Sequence, residues 1–115
     1  PTYVPRRRVS PARAIEIVHE VGGVAVLAHP LHGGGLGDLR KMVQEGLEGI
    51  EVGHPEHTEQ QAQFLRGVAR EWGLLTTGGS DYHGGMMEEG APIGAVTCSE
   101  EEVALLLARA AVVRR

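Results

Sequence analysis

Scarcity narrows the chemistry of this chain before any motif is read. Its one cysteine, Cys98, can form no internal disulfide, which is the usage of a reducing, cytoplasmic compartment. Alone, that thiol reads as a small buried apolar side chain. Aromatic residues are 3% of the 115, too few for a platform on which bases stack. Lys and Arg number 11 against 15 Asp and Glu, a net charge of -4, which excludes a general grip on a nucleic-acid backbone. Apolar runs such as Val24 to Ala28 fall far short of the roughly 20 residues of a membrane span. No secretory leader is visible, and the first residue is Pro1 rather than Met, so the chain reads as a piece of a longer protein.

What is present is glycine, histidine and a regular alternation of helix and strand patterns. Hydrophobic content of 42% suits one core of aliphatic side chains, and the length suits one domain over residues 1–115. Ser10-Pro11 caps a first helix whose apolar positions are Ala14, Val18 and Val21, with Gly22 as its stop. The strand "VAVLAHP" follows, then a glycine-rich rim loop "HGGGLGD". A second helix carries Leu39, Met42 and Val43 and ends at Gly46, before the strand "GIEVGHP". Thr58 and Gln61 make a capping box for a third helix with Ala62, Leu65, Ala69 and Trp72 inward. Gly73 closes that helix ahead of the strand "LLTTGGSD". A fourth strand, "IGAVTC", and a last helix from Ser99, with Glu102 as its capping partner, complete the pattern. Strands begin near Val24, Gly49 and Leu74, a βα unit of about 25 residues, which implies a parallel sheet.

That topology sends the polar residues to one place. His29 leaves the first strand, Glu51 and His54 the second, Asp81 and His83 the third, all at carboxyl ends, where open α/β sheets and βα barrels bind ligands. Imidazole and carboxylate together suit Zn, Mn or Fe. The pair Asp81-x-His83 shares one direction along an extended chain; the glycines before it let the backbone turn sharply. Glu51 alternates away from its neighbours and reads as a solvated or supporting carboxylate rather than a ligand. His54 and His57 bracket Pro55 in a loop, where surface polarity is the default. His19, on a polar helix face with Glu16 and Glu20, and His32, in the glycine loop, read as solvated. The run Arg6 to Arg8 reads as a solvated face, with phosphate capture as its functional alternative. The stretch "GGGLG" lacks the Gly-Lys-Ser/Thr ending of a phosphate loop.

Three ordered stretches, "YVPRRRVSPARAIEIVHEVGGVAVLAHP", "GIEVGHPEHT" and "LLTTGGSDYHG", resemble the carboxyl-terminal half of the polymerase-and-histidinol-phosphatase (PHP) phosphoesterases. The similarity is to the bacterial branch acting on nucleoside 3',5'-bisphosphates and short RNA 5' ends. The resemblance implies an α/β fold, the second half of a distorted (β/α)7 barrel whose strand ends hold Mn, Fe or Zn ions. It implies that His29, Asp81 and His83 are metal ligands, and that His57 lies by the substrate phosphate as a catalytic residue. The family's amino-terminal His-x-His and its further ligands have no counterpart in these residues. A phosphoesterase built on this chain is therefore expected to need the missing half or a second copy, and to be weakly active or inactive alone. Two rivals stand beside this reading. One is a non-catalytic α/β fragment or assembly module from a split barrel; the other is a proofreading-type domain of a replicative polymerase.

Overall fold

Ser10, Asp38 and Thr58 each accept a hydrogen bond from the backbone N–H three residues on, so each fixes where a helix begins. The computed structural model describes residues 9–31, 36–83 and 92–113; Arg6 to Arg8 and His32 lie outside the described residues. In chain order the elements are α1 (Pro11–Glu20), β1 (Val26–Leu27), α2 (Leu39–Gln44), β2 (Gly49–Gly53), α3 (Glu59–Trp72), β3 (Leu75–Gly78) and α4 (Glu100–Val113). The strands form one parallel sheet in the order β1-β2-β3, as the repeated βα pattern requires. Val26 pairs with Gly49, and Gly49 with Leu75, with an irregularity between Glu51 and Gly53. Among the described residues no helix is long and apolar enough to cross a membrane.

The middle strand carries the core. Ile50 and Val52, alternate residues of β2, are fully buried with Leu65 of α3, and Ile15, Ala25, Leu39, Leu47 and Ala69 complete the cluster. Both halves of the Thr58–Gln61 capping box are made. Gly73 ends α3 at φ 66°, a left-handed conformation that a side chain would strain. At α4 the same reciprocal pair recurs: the Ser99 N–H donates to Glu102 Oε1 and the Glu102 N–H to Ser99 Oγ.

Several expectations are corrected. On α1 the buried residue is Ile15, with Val18 packed against the core, while Ala14 and Val21 are exposed. The larger isoleucine sets the inward face, and His19, four residues on, turns with it. Trp72, expected inward, is 37% exposed, with the Arg40 guanidinium 5.8 Å from its ring centroid.

The segment 93–98 forms no strand. Instead, the Gly78 N–H donates to Cys98 Sγ at 3.1 Å, and a Cβ on Gly78 would lie 2.8 Å from the Thr97 carbonyl oxygen. The chain crosses over the end of β3 without pairing along it. Gly78 is therefore glycine for close approach, and no positive φ occurs at Gly78 or Gly79; the left-handed residue here is Asp81 itself, at φ 54°.

Candidate functional site

Each strand ends in polar residues, and the parallel register brings those ends to one rim. His29 lies two residues beyond β1 at φ 26°, and its N–H donates to Glu51 Oε1 at 2.9 Å. Glu51 is thus a supporting carboxylate: it alternates with buried Ile50 and Val52 and holds the backbone that presents the His29 ring. His29 and Asp81 both adopt a left-handed backbone, uncommon for residues other than glycine and often found where a site imposes geometry.

Beyond β2, the expected surface loop carries a buried ring. His54 is 5% exposed. The Glu56 N–H donates to its Nδ1 at 3.0 Å, so the proton of the neutral ring sits on Nε2, which donates to Asp81 Oδ2 at 3.0 Å. Sequence position alone gave no sign of this, because the bond spans 27 residues. His57 is half-buried, its N–H bonded to the His54 carbonyl and its Nδ1 to the Val52 carbonyl at 2.8 Å. That bond leaves the neutral ring's lone pair on Nε2, which is buried with no hydrogen-bond partner among the described residues.

The rings of His29 and His54 meet edge-on at 5.2 Å between centroids, and those of His54 and His57 lie tilted at 5.5 Å. His83 is exposed, with Nε2 3.6 Å from Asp81 Oδ1. The Asp81 carboxyl is held below its ordinary value, chiefly by the hydrogen bond from His54, against some desolvation and with help from nearby His83 and His29. His29, His57, Asp81 and His83 therefore share one rim, with His54 linking them. Among the described residues, no group of three or more His, Cys, Asp or Glu side chains is arranged to hold an ion. The donor types suit a divalent metal, and Asp81 is open to solvent.

His19, expected on a solvated face, is half-buried and paired. Its Nε2 lies 2.7 Å from Glu48 Oε1, and the same oxygen accepts the Ala25 N–H at 3.0 Å. That cluster precedes β2, at the opposite end of the sheet.

No family model matches the sequence. Over 71 residues it is 45% identical to the phosphoribosyl 1,2-cyclic phosphate 1,2-diphosphodiesterase of Eggerthella lenta, covering 62% of this chain and 27% of that protein. It is 37% identical over 75 residues to a 5'-3' exoribonuclease of Haemophilus influenzae, covering 61% of this chain and 27% of that protein. Among solved structures, a protein from Bifidobacterium adolescentis provisionally assigned as a metal-dependent phosphoesterase superposes with a TM-score of 0.79 at 33% identity. The match covers 93% of this chain and 39% of that one. An amidohydrolase from Chromobacterium violaceum with bound sulfate and no metal gives 0.65 at 26% identity over the same shares. The chain spans about a quarter of the length of the curated relatives it matches. It is a homologue of bacterial phosphodiesterases and exoribonucleases, and the PHP-type resemblance read from its motifs is borne out.

Proposed function

We propose that residues 1–115 form the carboxyl-terminal part of a PHP-type, metal-dependent phosphoesterase, and that this part supplies one side of the active site. The observation that carries the reading is the gathering of His29, His54, His57, Asp81 and His83 at the carboxyl rim of a parallel sheet, in a chain whose relatives cleave phosphoesters. His29, Asp81 and His83 would hold Mn, Fe or Zn together with donors from the remainder of a barrel or from a second copy. A divalent cation, when bound, supplies Lewis-acid polarisation of a phosphoryl oxygen and a water of lowered pKa.

The chain's own residues orient and exchange protons. Glu51 fixes the backbone of His29. With Nδ1 committed to the Val52 carbonyl, neutral His57 accepts a proton or hydrogen bond at Nε2. Only as imidazolium does it donate there, to a substrate phosphate or the leaving oxygen. The substrate class is a phosphorylated nucleotide, sugar phosphate or short RNA 5' end. A cytoplasmic location belongs to the same reading, supported by the lone Cys98.

A segment exchange tests this. The matching stretch of the Eggerthella lenta enzyme is replaced by the corresponding residues of this chain, and the hybrid is assayed with Mn for hydrolysis of that enzyme's cyclic phosphate. Turnover that is abolished by chelation and by Asp81→Asn is expected, while residues 1–115 alone stay inactive. A folded hybrid without activity, or full activity after Asp81→Asn, overturns the reading and favours an assembly module.

A further inference from the structure

We propose that His54 is a positioning residue, whose Nε2–H holds the Asp81 carboxylate so that Oδ1 faces outward from the rim. Three features carry this beyond the proposed activity. First, the ring is fixed at both nitrogens: Nδ1 accepts from the Glu56 N–H and Nε2 donates to Asp81 Oδ2, each at 3.0 Å. A proton moved to Nδ1 would oppose the Glu56 N–H and remove the bond to Asp81, so a single neutral tautomer fits.

Second, Asp81 sits at φ 54°, a left-handed conformation that aspartate tolerates better than most side chains but does not adopt by default. No regular strand or helix imposes it, since β3 ends at Gly78. The tether from a buried ring just beyond β2 supplies a restraint where the local backbone has none. Third, the bond occupies only Oδ2. Oδ1 faces His83, 3.6 Å away, on the exposed side, where a ligand would meet it. His54 itself stands between the rings of His29 and His57, so it spaces the cluster while it aims the carboxylate.

The value of the outward Oδ1 rests on the phosphoesterase reading, whereas the tether itself does not. Two substitutions separate hydrogen bonding from packing. His54→Phe keeps the ring and loses both nitrogens; His54→Gln loses the ring and returns an N–H donor near the Nε2 position. Side-chain 15N spectra of the 115-residue chain should show His54 protonated at Nε2 and bare at Nδ1. The Asp81 Cα and Cβ resonances should move toward extended-backbone values in His54→Phe and stay near wild type in His54→Gln.

In the hybrid enzyme, His54→Phe should weaken Mn affinity about tenfold, with His54→Gln recovering most of it. A ring that only fills space gives the reverse order. That reverse order, unmoved Asp81 resonances in a folded His54→Phe chain, or His54 protonated at Nδ1 overturns the proposal, and the tautomer spectrum decides it even where His54→Phe fails to fold. Should the resonances behave as expected while the hybrid is inactive, the positioning stands and the phosphoesterase reading falls.

Discussion

Each end of the sheet holds a histidine bonded to a carboxylate, and burial is reversed between them. At the amino end, Glu48 is the buried partner, its side chain 8% exposed, and His19 is 34% exposed. At the carboxyl end, His54 is the buried partner, its side chain 2% exposed, and the Asp81 side chain is 38% exposed. The consequence is chemical. Glu48 spends Oε1 on His19 and the Ala25 N–H, and its Oε2 lies 3.9 Å from the Arg109 guanidinium. It ties α1, the start of β1, β2 and α4 together. Asp81 has one oxygen tied inward and the other turned to the exposed side, so the first cluster closes on itself and the second stays open to a ligand.

The largest effect should come from breaking the closed end. Glu48→Ala leaves the Ala25 N–H unpaired in the core and should cost about 2–3 kcal/mol in urea unfolding. Asp81→Asn keeps size and tolerance of a left-handed backbone, and should leave the urea midpoint nearly unchanged, while removing the charge that a metal would need. Equal losses in the two variants would mean that both ends are structural and would remove the distinction.

A smaller effect separates two glycines in the same way. Gly78→Ala places a methyl group 2.8 Å from the Thr97 carbonyl oxygen and 3.3 Å from Gly53 Cα, where backbone must shift. A loss of about 1–3 kcal/mol follows, with the segment carrying Cys98 displaced from the rim. At Gly67, inside α3, nothing lies within 4 Å of an added Cβ, so Gly67→Ala should instead gain about 0.5–1 kcal/mol from helix propensity. Thermal unfolding of both variants checks the pair; stabilisation by Gly78→Ala would show that the crossing at Thr97 is loose.

Local signals were legible in the sequence and long-range ones were not. The capping pairs Thr58–Gln61 and Ser99–Glu102 form within four residues, so spacing alone announces them. Parallel pairing followed from the regular strand interval, and the rim positions of His29, Asp81 and His83 followed from the pairing. His54 escaped because nothing in "GHPEHT" says that a loop histidine will reach Asp81 across the rim and be buried doing so. His19 escaped for the same reason: its partner Glu48 is 29 residues away, while Glu16 and Glu20, close in sequence, pair with Arg13 instead. "IGAVTC" has strand composition, yet its approach to β3 is made by Cys98 Sγ and the Thr97 carbonyl over a glycine, a contact that propensity does not encode.

The smallest expected effect is the sharpest test of openness, because it compares two depressed carboxyls. Glu102 pays a desolvation cost at the start of α4, but hydrogen bonds from Thr76, at 2.6 Å, and from Ser99 outweigh it and bring its carboxyl below the ordinary 4.5. Asp81 is brought below 3.8, first by His54. A carboxyl lowered on folding stabilises the protein above its unfolded value, and that contribution is lost as pH falls through the folded one. Stability should therefore begin to fall near pH 4.5 as the Glu102 share is lost, with little added below 3.8 from the solvent-screened Asp81. Glu102→Gln should flatten the upper part of that descent, because its carboxylate bridges β3 to α4. Asp81→Asn should barely alter the curve, since its charge faces water and solvent screens such pairs. Urea midpoints measured from pH 6 down to pH 3 decide it. A larger flattening from Asp81→Asn than from Glu102→Gln would mean that the outward carboxylate is holding the fold together, and the rim would then be closed like its counterpart.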